Sequence, residues 1–295
     1  MLRLTLLAGL LLVVAGCGNG EQPASPGGAE APADSQRVVA LGGSVAETVY
    51  ALGAGSSLVA RDISATVPAA VHRVPSVGYF RQLGAEGVLS VTPTLVLADP
   101  DAGPPEALAQ VEAAGVRVVH LPGGPSAEEA FAQIRAIAAA LGREEAGVAV
   151  VDSMGARLDA VGRRLVAVAD RPRVLFVLGQ GGGALQISGT GTHADAFIRL
   201  AGGENALTGV EGYTAITPEA VAAAAPDVVL VLSRTVQTLG GTEALIGRAD
   251  LGLTPAAQNS RVVVMPDAAL NFGPSLGWFV AQFAGALHPV ETPAP

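Results

Sequence analysis

The chain says nearly the same thing twice, and this repetition constrains its fold more than any other feature. Arg37-Val38-Val39-Ala40-Leu41 reads as a strand, followed by Gly42-Gly43 and a helix from Val45 to Leu52 that stops at Gly53. Arg173-Val174-Leu175-Phe176-Val177-Leu178 repeats the pattern with a glycine loop, a helix near His193 to Leu200, and then Gly202-Gly203. A second echo runs from Gly78-Tyr79 to Glu86-Gly87-Val88 and on to Pro93-Thr94-Leu95-Val96-Leu97. Its partner runs from Gly212-Tyr213 to Glu219-Ala220-Val221 and on to Pro226-Asp227-Val228-Val229-Leu230, with glutamate and proline seven apart in both copies. A third echo pairs Arg117-Val118-Val119-His120-Leu121-Pro122 with Arg261-Val262-Val263-Val264-Met265-Pro266. Three echoes in the same order, offset by roughly 135 to 145 residues, mean two similar lobes.

Within each lobe the strands are continuous apolar runs separated by alanine-rich helical stretches such as Pro105 to Ala114 and Ala127 to Leu141. That pattern predicts a parallel sheet covered on both faces, so each lobe is a small doubly wound α/β unit. Between the lobes, Glu144 to Ala169 carries Val148, Val151, Met154, Leu158, Val161 and Leu165 at helical spacing without proline. At 1.5 Å per residue this single helix would be about 39 Å long, the height of both lobes. Two lobes on one long helix leave one cleft. The expected division is therefore a first lobe over 37–143, a linking helix over 144–169 and a second lobe over 170–290.

The first 17 residues read as an export signal: Arg3, an apolar run from Leu4 to Ala15 too short to span a bilayer, then Val14-Ala15-Gly16-Cys17. That last string resembles the bacterial lipobox, which implies lipidation of Cys17. Cys17 is the only cysteine, so no intramolecular disulfide can form. Residues 18–36 are rich in Gly, Pro, Ala and Ser and read as a flexible tether to the membrane. The 50% hydrophobic content over 295 residues allows a large core. All 17 basic residues are arginine and the formal net charge is -9, which argues against a nucleic-acid surface.

Ligands of such α/β units bind outside the carboxyl ends of the strands, where Tyr79 and Tyr213 are expected. Val77-Gly78-Tyr79-Phe80-Arg81-Gln82-Leu83-Gly84-Ala85-Glu86 places a phenol, a guanidinium and a carboxylate within eight residues. Gly78 turns the backbone, so Tyr79 is expected in a loop ahead of a helix from Ala85 to Ser90. A phenolate is a hard oxygen ligand for ferric iron, and a nearby cation favours its ionised form. Taken alone, Tyr79 reads first as a packed loop aromatic, and only the pattern around it makes it a ligand. His193, at the start of a second-lobe helix, reads either as a second iron ligand or as a helix-start residue. Arg234 follows the strand Val228 to Leu232 and reads as a cleft cation. His72, His120 and His288 lack the mutual spacing of a metal site and read as structural.

At these residues the chain resembles the substrate-binding proteins of ABC importers for iron chelates, haem and cobalamin. Val77 to Ser90, Gly212-Tyr213 with Thr217-Pro218-Glu219-Ala220, and Phe272-Gly273-Pro274 resemble the haem-binding branch. The resemblance covers Arg37 to Pro289 and implies two Rossmann-like lobes joined by a long helix, with haem in the cleft as transported ligand. It implies Tyr79 as haem-iron ligand and Arg81 as supporting the ligand or a propionate; Arg234, placed by the strand it follows, then reads as a further propionate partner. Tyr213 and Phe272 would line the cleft. Glu86 and Glu219 match acidic residues that meet arginines on the permease. The implied partners are an ABC permease with its ATPase, and the receptor is expected to be a non-catalytic monomer outside the cytoplasm. Many relatives have arginine where this chain has Ser275.

Other readings stand beside this one. Within the class, a corrinoid or ferric-siderophore receptor would not need an iron-binding tyrosine. Gly179-Gln180-Gly181-Gly182-Gly183-Ala184 fits a loose dinucleotide fingerprint, yet the following Leu185 to Gly191 reads as strand or loop where that site needs a helix. Ser44 after a strand suits a hydrolase nucleophile, but Ser44-x-x-Glu47 also reads as a capping box. No acid, base and nucleophile set accompanies it to support a hydrolase or a chelatase.

Overall fold

Apolar runs of four or five residues set the strands, and glycines and alanine-rich helices return the chain to start the next one. The structure is a computed structural model that describes residues 36–179 and 184–289. The signal sequence with Cys17, the tether up to residue 35, the heart of the glycine loop at 180–183 and the tail from 290 lie outside the described residues.

In the first half, β1 (Val38–Leu41), β2 (Leu58–Arg61), β3 (Leu95–Ala98) and β4 (Arg117–His120) form a parallel sheet in the order β2-β1-β3-β4. Strands β1 and β3 are buried along their whole length, as continuous apolar runs require, whereas the edge strand β4 exposes Arg117 and His120. The crossovers are α1 (Gly43–Ala51), α2 (Ala85–Leu89) and α3 (Pro105–Ala113), and α4 (Ala127–Leu141) closes this half. The order reverses between β1 and β3, which opens a crevice at their carboxyl ends.

α5 (Glu144–Leu165) follows, with Glu144 and Glu145 in its first turn and Arg163 and Arg164 in its last, both favourable to its dipole. Its 22 residues make it about 33 Å long, shorter than the helix to Ala169 that periodicity predicts. Val166 is 86% exposed, so no packing holds a further turn ahead of Arg171-Pro172. One core cluster runs from Ile134 on α4 through Val151 and Met154 on α5 to Phe176, Phe197 and Phe283 of the second half.

That half contains β5 (Arg173–Gly179), β6 (Leu185–Ser188), α6 (His193–Leu200), β7 (Glu204–Asn205), β8 (Tyr213–Ala215), α7 (Pro218–Ala224) and β9 (Val228–Leu232). It continues through α8 (Ser233–Leu239), α9 (Thr242–Ile246), α10 (Pro255–Gln258), β10 (Val262–Met265) and α11 (Leu276–Leu287). The expected parallel pairing holds for β10, β9, β5 and β7 but not for β6 and β8. The order is β10-β9-β5-β6-β8, with β7 on β5, and both β5–β6 and β6–β8 are antiparallel. The glycine-rich stretch between β5 and β6 is too short for a crossover, so the chain doubles back. A strand also stands where a dinucleotide site would need its helix. Among the described residues no helix is long and apolar enough to cross a membrane.

Candidate functional site

The site forms where both sheets end. Gly42, at the end of β1, has φ 127°, and a Cβ there would lie 2.9 Å from that of Asp99, so the turn into α1 can pass close beside the end of β3. The buried carboxylate of Asp62 fixes this turn by accepting from the N–H groups of Gly42 at 3.0 Å and Ser64 at 2.9 Å. Asp99 accepts from the N–H of Asp101 at 3.0 Å. Burial, reinforced by the charges of Asp101 and Asp62, raises the Asp99 carboxyl above the usual range against the opposing effects of that N–H and of Arg81.

Two adjoining cavities of about 400 Å³ each share Ser44, Arg81, Asp99, Asp101, His193, Tyr213 and Asn271. Each is within the range of small-molecule sites. Tyr79, Arg81, His193, Tyr213 and Arg234 line one of them together, and Phe272 lines the other. Five residues spread over the sequence thus converge on one space.

Tyr79 lies in an irregular segment, as its glycine predicts, and its ring meets Phe80 edge-on at 5.1 Å. Among the described residues its hydroxyl makes no hydrogen bond, so the oxygen is available to a ligand. Arg81 forms an ion pair with Asp101 and lies 5.1 Å from the centre of the Phe80 ring. Arg234 approaches Asp267 at 3.5 Å and stays largely exposed. Each half therefore offers one arginine already balanced by an aspartate.

His193 is not the cap of α6. Thr192 is, accepting from the N–H of Asp195 at 3.0 Å, while the His193 ring packs edge-on to Phe272 with centroids 4.8 Å apart. Burial lowers the affinity of its imidazole for a proton, opposed by the charge of Asp101, so the ring is neutral with a free lone pair at neutral pH. Tyr213 opens strand β8, and burial pushes its hydroxyl up against the effect of Thr192 beside it.

Glu86 and Glu219 lie outside this cleft, each exposed in the first turn of its helix, α2 and α7. Ser44 is not a cap: it is the second residue of α1, and Glu47 reaches instead to the N–H of Ser275 at 2.6 Å. The serine that does cap a helix three residues ahead of a glutamate is Ser126, before α4: its Oγ accepts from the Glu129 N–H at 3.1 Å and donates to Glu129 Oε2 at 3.0 Å. The cleft is also less apolar than a slot for a flat macrocycle suggests. Asp99, Asp101, Asn271 and Thr192 line it, and the signal for the first two was available in Asp99-Pro100-Asp101 directly after an apolar strand.

The sequence profile of the family described as periplasmic binding protein matches residues 38–269. The chain belongs to that family. It superposes on the apo form of the periplasmic heme-binding protein RhuT from Roseiflexus sp. RS-1 with a TM-score of 0.83 and 37% identity, covering 86% of this chain and 98% of that one. On the periplasmic heme-binding protein BhuT in complex with two hemes the TM-score is 0.81 at 41% identity, covering 86% and 99%. An ABC transporter substrate-binding lipoprotein of Bacillus subtilis, YvrC, is 25% identical over 264 residues, 87% of this chain and 81% of its own. The family and these neighbours are binding proteins rather than enzymes.

Proposed function

We propose that this protein captures haem outside the cytoplasm and delivers it to an ABC permease and its ATPase, without itself catalysing a reaction. The observation that carries the reading is the convergence of Tyr79, Arg81, His193, Tyr213 and Arg234 on one cavity. In it Tyr79 supplies the oxygen for ferric iron, and the neutral His193 opposite supplies a nitrogen as second ligand. Arg81 and Arg234, drawn from Asp101 and Asp267, meet propionates in charge-assisted hydrogen bonds. Phe80, Phe272 and Tyr213 give the ring its apolar contacts. Glu86 and Glu219 face the permease. The division into lobes over 37–143 and 170–290 about the helix goes with this reading, as does anchoring through Cys17. Cys17→Ser is then expected in the soluble fraction after carbonate washing, and its retention on membranes would remove the anchor.

Titration of the purified protein with hemin, beside cyanocobalamin, tests the function. The expected result is a saturable spectrum with the visible charge-transfer band of a tyrosinate-bound ferric haem. Saturable binding of cyanocobalamin with none of hemin would overturn it in favour of a corrinoid receptor.

A further inference from the structure

We propose that Glu47 is a positioning residue for ligand capture: its buried carboxylate reaches from α1 to the N-cap of α11 and pins the tight turn that directs Phe272 into the cleft against His193. The inference rests on the reading of this cleft as the ligand site.

Glu47 is 5% exposed. Its Oε1 accepts from the N–H of Ser275, a residue 228 positions away, at 2.6 Å. Its Oε2 is buried and without a hydrogen-bond partner among the described residues. A buried carboxylate with one oxygen unpaired opposes folding, and an apolar side chain of similar size would fill the space at less cost. Its presence one turn below the cleft-lining Ser44 therefore calls for a role beyond packing.

The turn it holds supplies that role. A Cβ at Gly273 would lie 2.6 Å from Glu47 Oε2 and 3.2 Å from Ser44 Cα, so only glycine lets the chain pass this close to α1. A Cβ at Gly43 would likewise collide with the side chain of Asn271. Between these two contacts Phe272 adopts φ 56°, a left-handed conformation that side chains other than glycine rarely take. Such a conformation persists only where the surroundings over-determine it. Asn271 against Gly43, Gly273 against Glu47 and the Ser275 N–H on the carboxylate are those surroundings. The result is the Phe272 ring, 4% exposed, edge-on to His193. No hydrogen bond joins Glu47 to His193 or Phe272 among the described residues; it acts on the ring of each through the backbone between Asn271 and Ser275.

Two variants separate pinning from packing. Glu47→Gln keeps an oxygen to accept from Ser275, whereas Glu47→Met keeps the length and volume without an acceptor. Both should fold. The measurements are the rate of hemin loss to apomyoglobin and hydrogen exchange over 271–279. Glu47→Met is expected to lose hemin about tenfold faster, with the charge-transfer band retained and exchange at Ser275 accelerated, while Glu47→Gln stays within about twofold of native. A hemin loss rate in Glu47→Met equal to native, or one in Glu47→Gln as fast as in Glu47→Met, would overturn the proposal. If the native protein takes up no hemin, the ligand reading fails, and the exchange comparison still decides the pin: equal exchange in native and Glu47→Met overturns it.

Discussion

The two tyrosines that follow a left-handed glycine, one in each half, reach the same cleft by different routes. Gly78 has φ 100° and Gly212 φ 75°, and both turn the chain toward the cavity. After Gly78 the backbone is irregular, so Tyr79 extends from a loop with its hydroxyl unpartnered among the described residues. After Gly212 the chain enters β8, where Tyr213 pairs with Ser188 across an antiparallel ladder. Tyr213 keeps 41% of its surface exposed, and desolvation still pushes its hydroxyl up against the opposing hydrogen bond of Thr192. The same short motif therefore yields an available oxygen in one half and a phenol that resists ionisation in the other. What separates them is the sheet: the first half is parallel and leaves the tyrosine in a connection, while the second folds back on itself and takes its tyrosine into a strand.

The largest effect should come from deleting each oxygen in turn. Tyr79→Phe keeps the ring against Phe80 and removes the iron ligand, so the charge-transfer band should vanish and hemin affinity fall about a hundredfold or more. Tyr213→Phe should keep the band and change affinity by less than about threefold, since only a phenol of raised pKa is lost. Reversed outcomes in a hemin titration would assign the iron to the second half. The outer faces offer the next contrast. Charge reversal of both Glu86 and Glu219 should reduce haem uptake by whole cells about tenfold or more while hemin affinity in solution stays within about twofold. Unchanged uptake in that double variant would remove the docking role.

A smaller difference is expected between the arginines. Arg81 is held by Asp101 and the Phe80 ring, whereas Arg234 is more exposed and only loosely paired with Asp267. Ordering a long exposed side chain on binding carries an entropic cost that the held one has already met. Arg81→Ala should therefore weaken hemin about tenfold and Arg234→Ala about threefold, as read by titration. Equal losses would show that the aspartate confers no advantage.

The parts of this comparison that depend on neighbours in sequence were legible without a structure. Apolar runs predict β1, β3, β5 and β9, the predicted α4 has the bounds observed and α6 stands near where it is expected, because cap, period and terminating glycine all lie within the segment. The rule about the carboxyl ends of strands pointed to Tyr79, Tyr213 and Arg234, while His193 was suggested by the start of its helix and Arg81 by its nearness to Tyr79. The rest depends on what meets what across long separations. Periodicity continues past Leu165 although nothing packs on Val166. A serine and glutamate three apart look the same at 44 and 47 as at 126 and 129, yet only the second pair caps a helix. Nothing near Glu47 announces that its partner is Ser275.

That last contact also sets the smallest effect expected. Glu47 has its carboxyl raised above its ordinary value of 4.5, first by burial and against the opposing effect of Ser275. In the unfolded chain the group ionises near 4.5, while in the folded protein it holds its proton to higher pH. Below the unfolded value both states are protonated and the group is neutral toward stability. As pH rises from there toward the folded value, the unfolded state loses its proton first, so stability falls across that window and stays lowered above it. Replacing Glu47 by glutamine removes the titration and keeps an acceptor for Ser275. The melting temperature of Glu47→Gln relative to native should therefore increase from pH 4 to pH 7, by about 2 to 4 °C for each kcal/mol of relieved penalty. A difference between the two proteins that is independent of pH over this range would show that Glu47 ionises as freely in the folded chain as in water, and that its contact with Ser275 offsets the whole cost of burial.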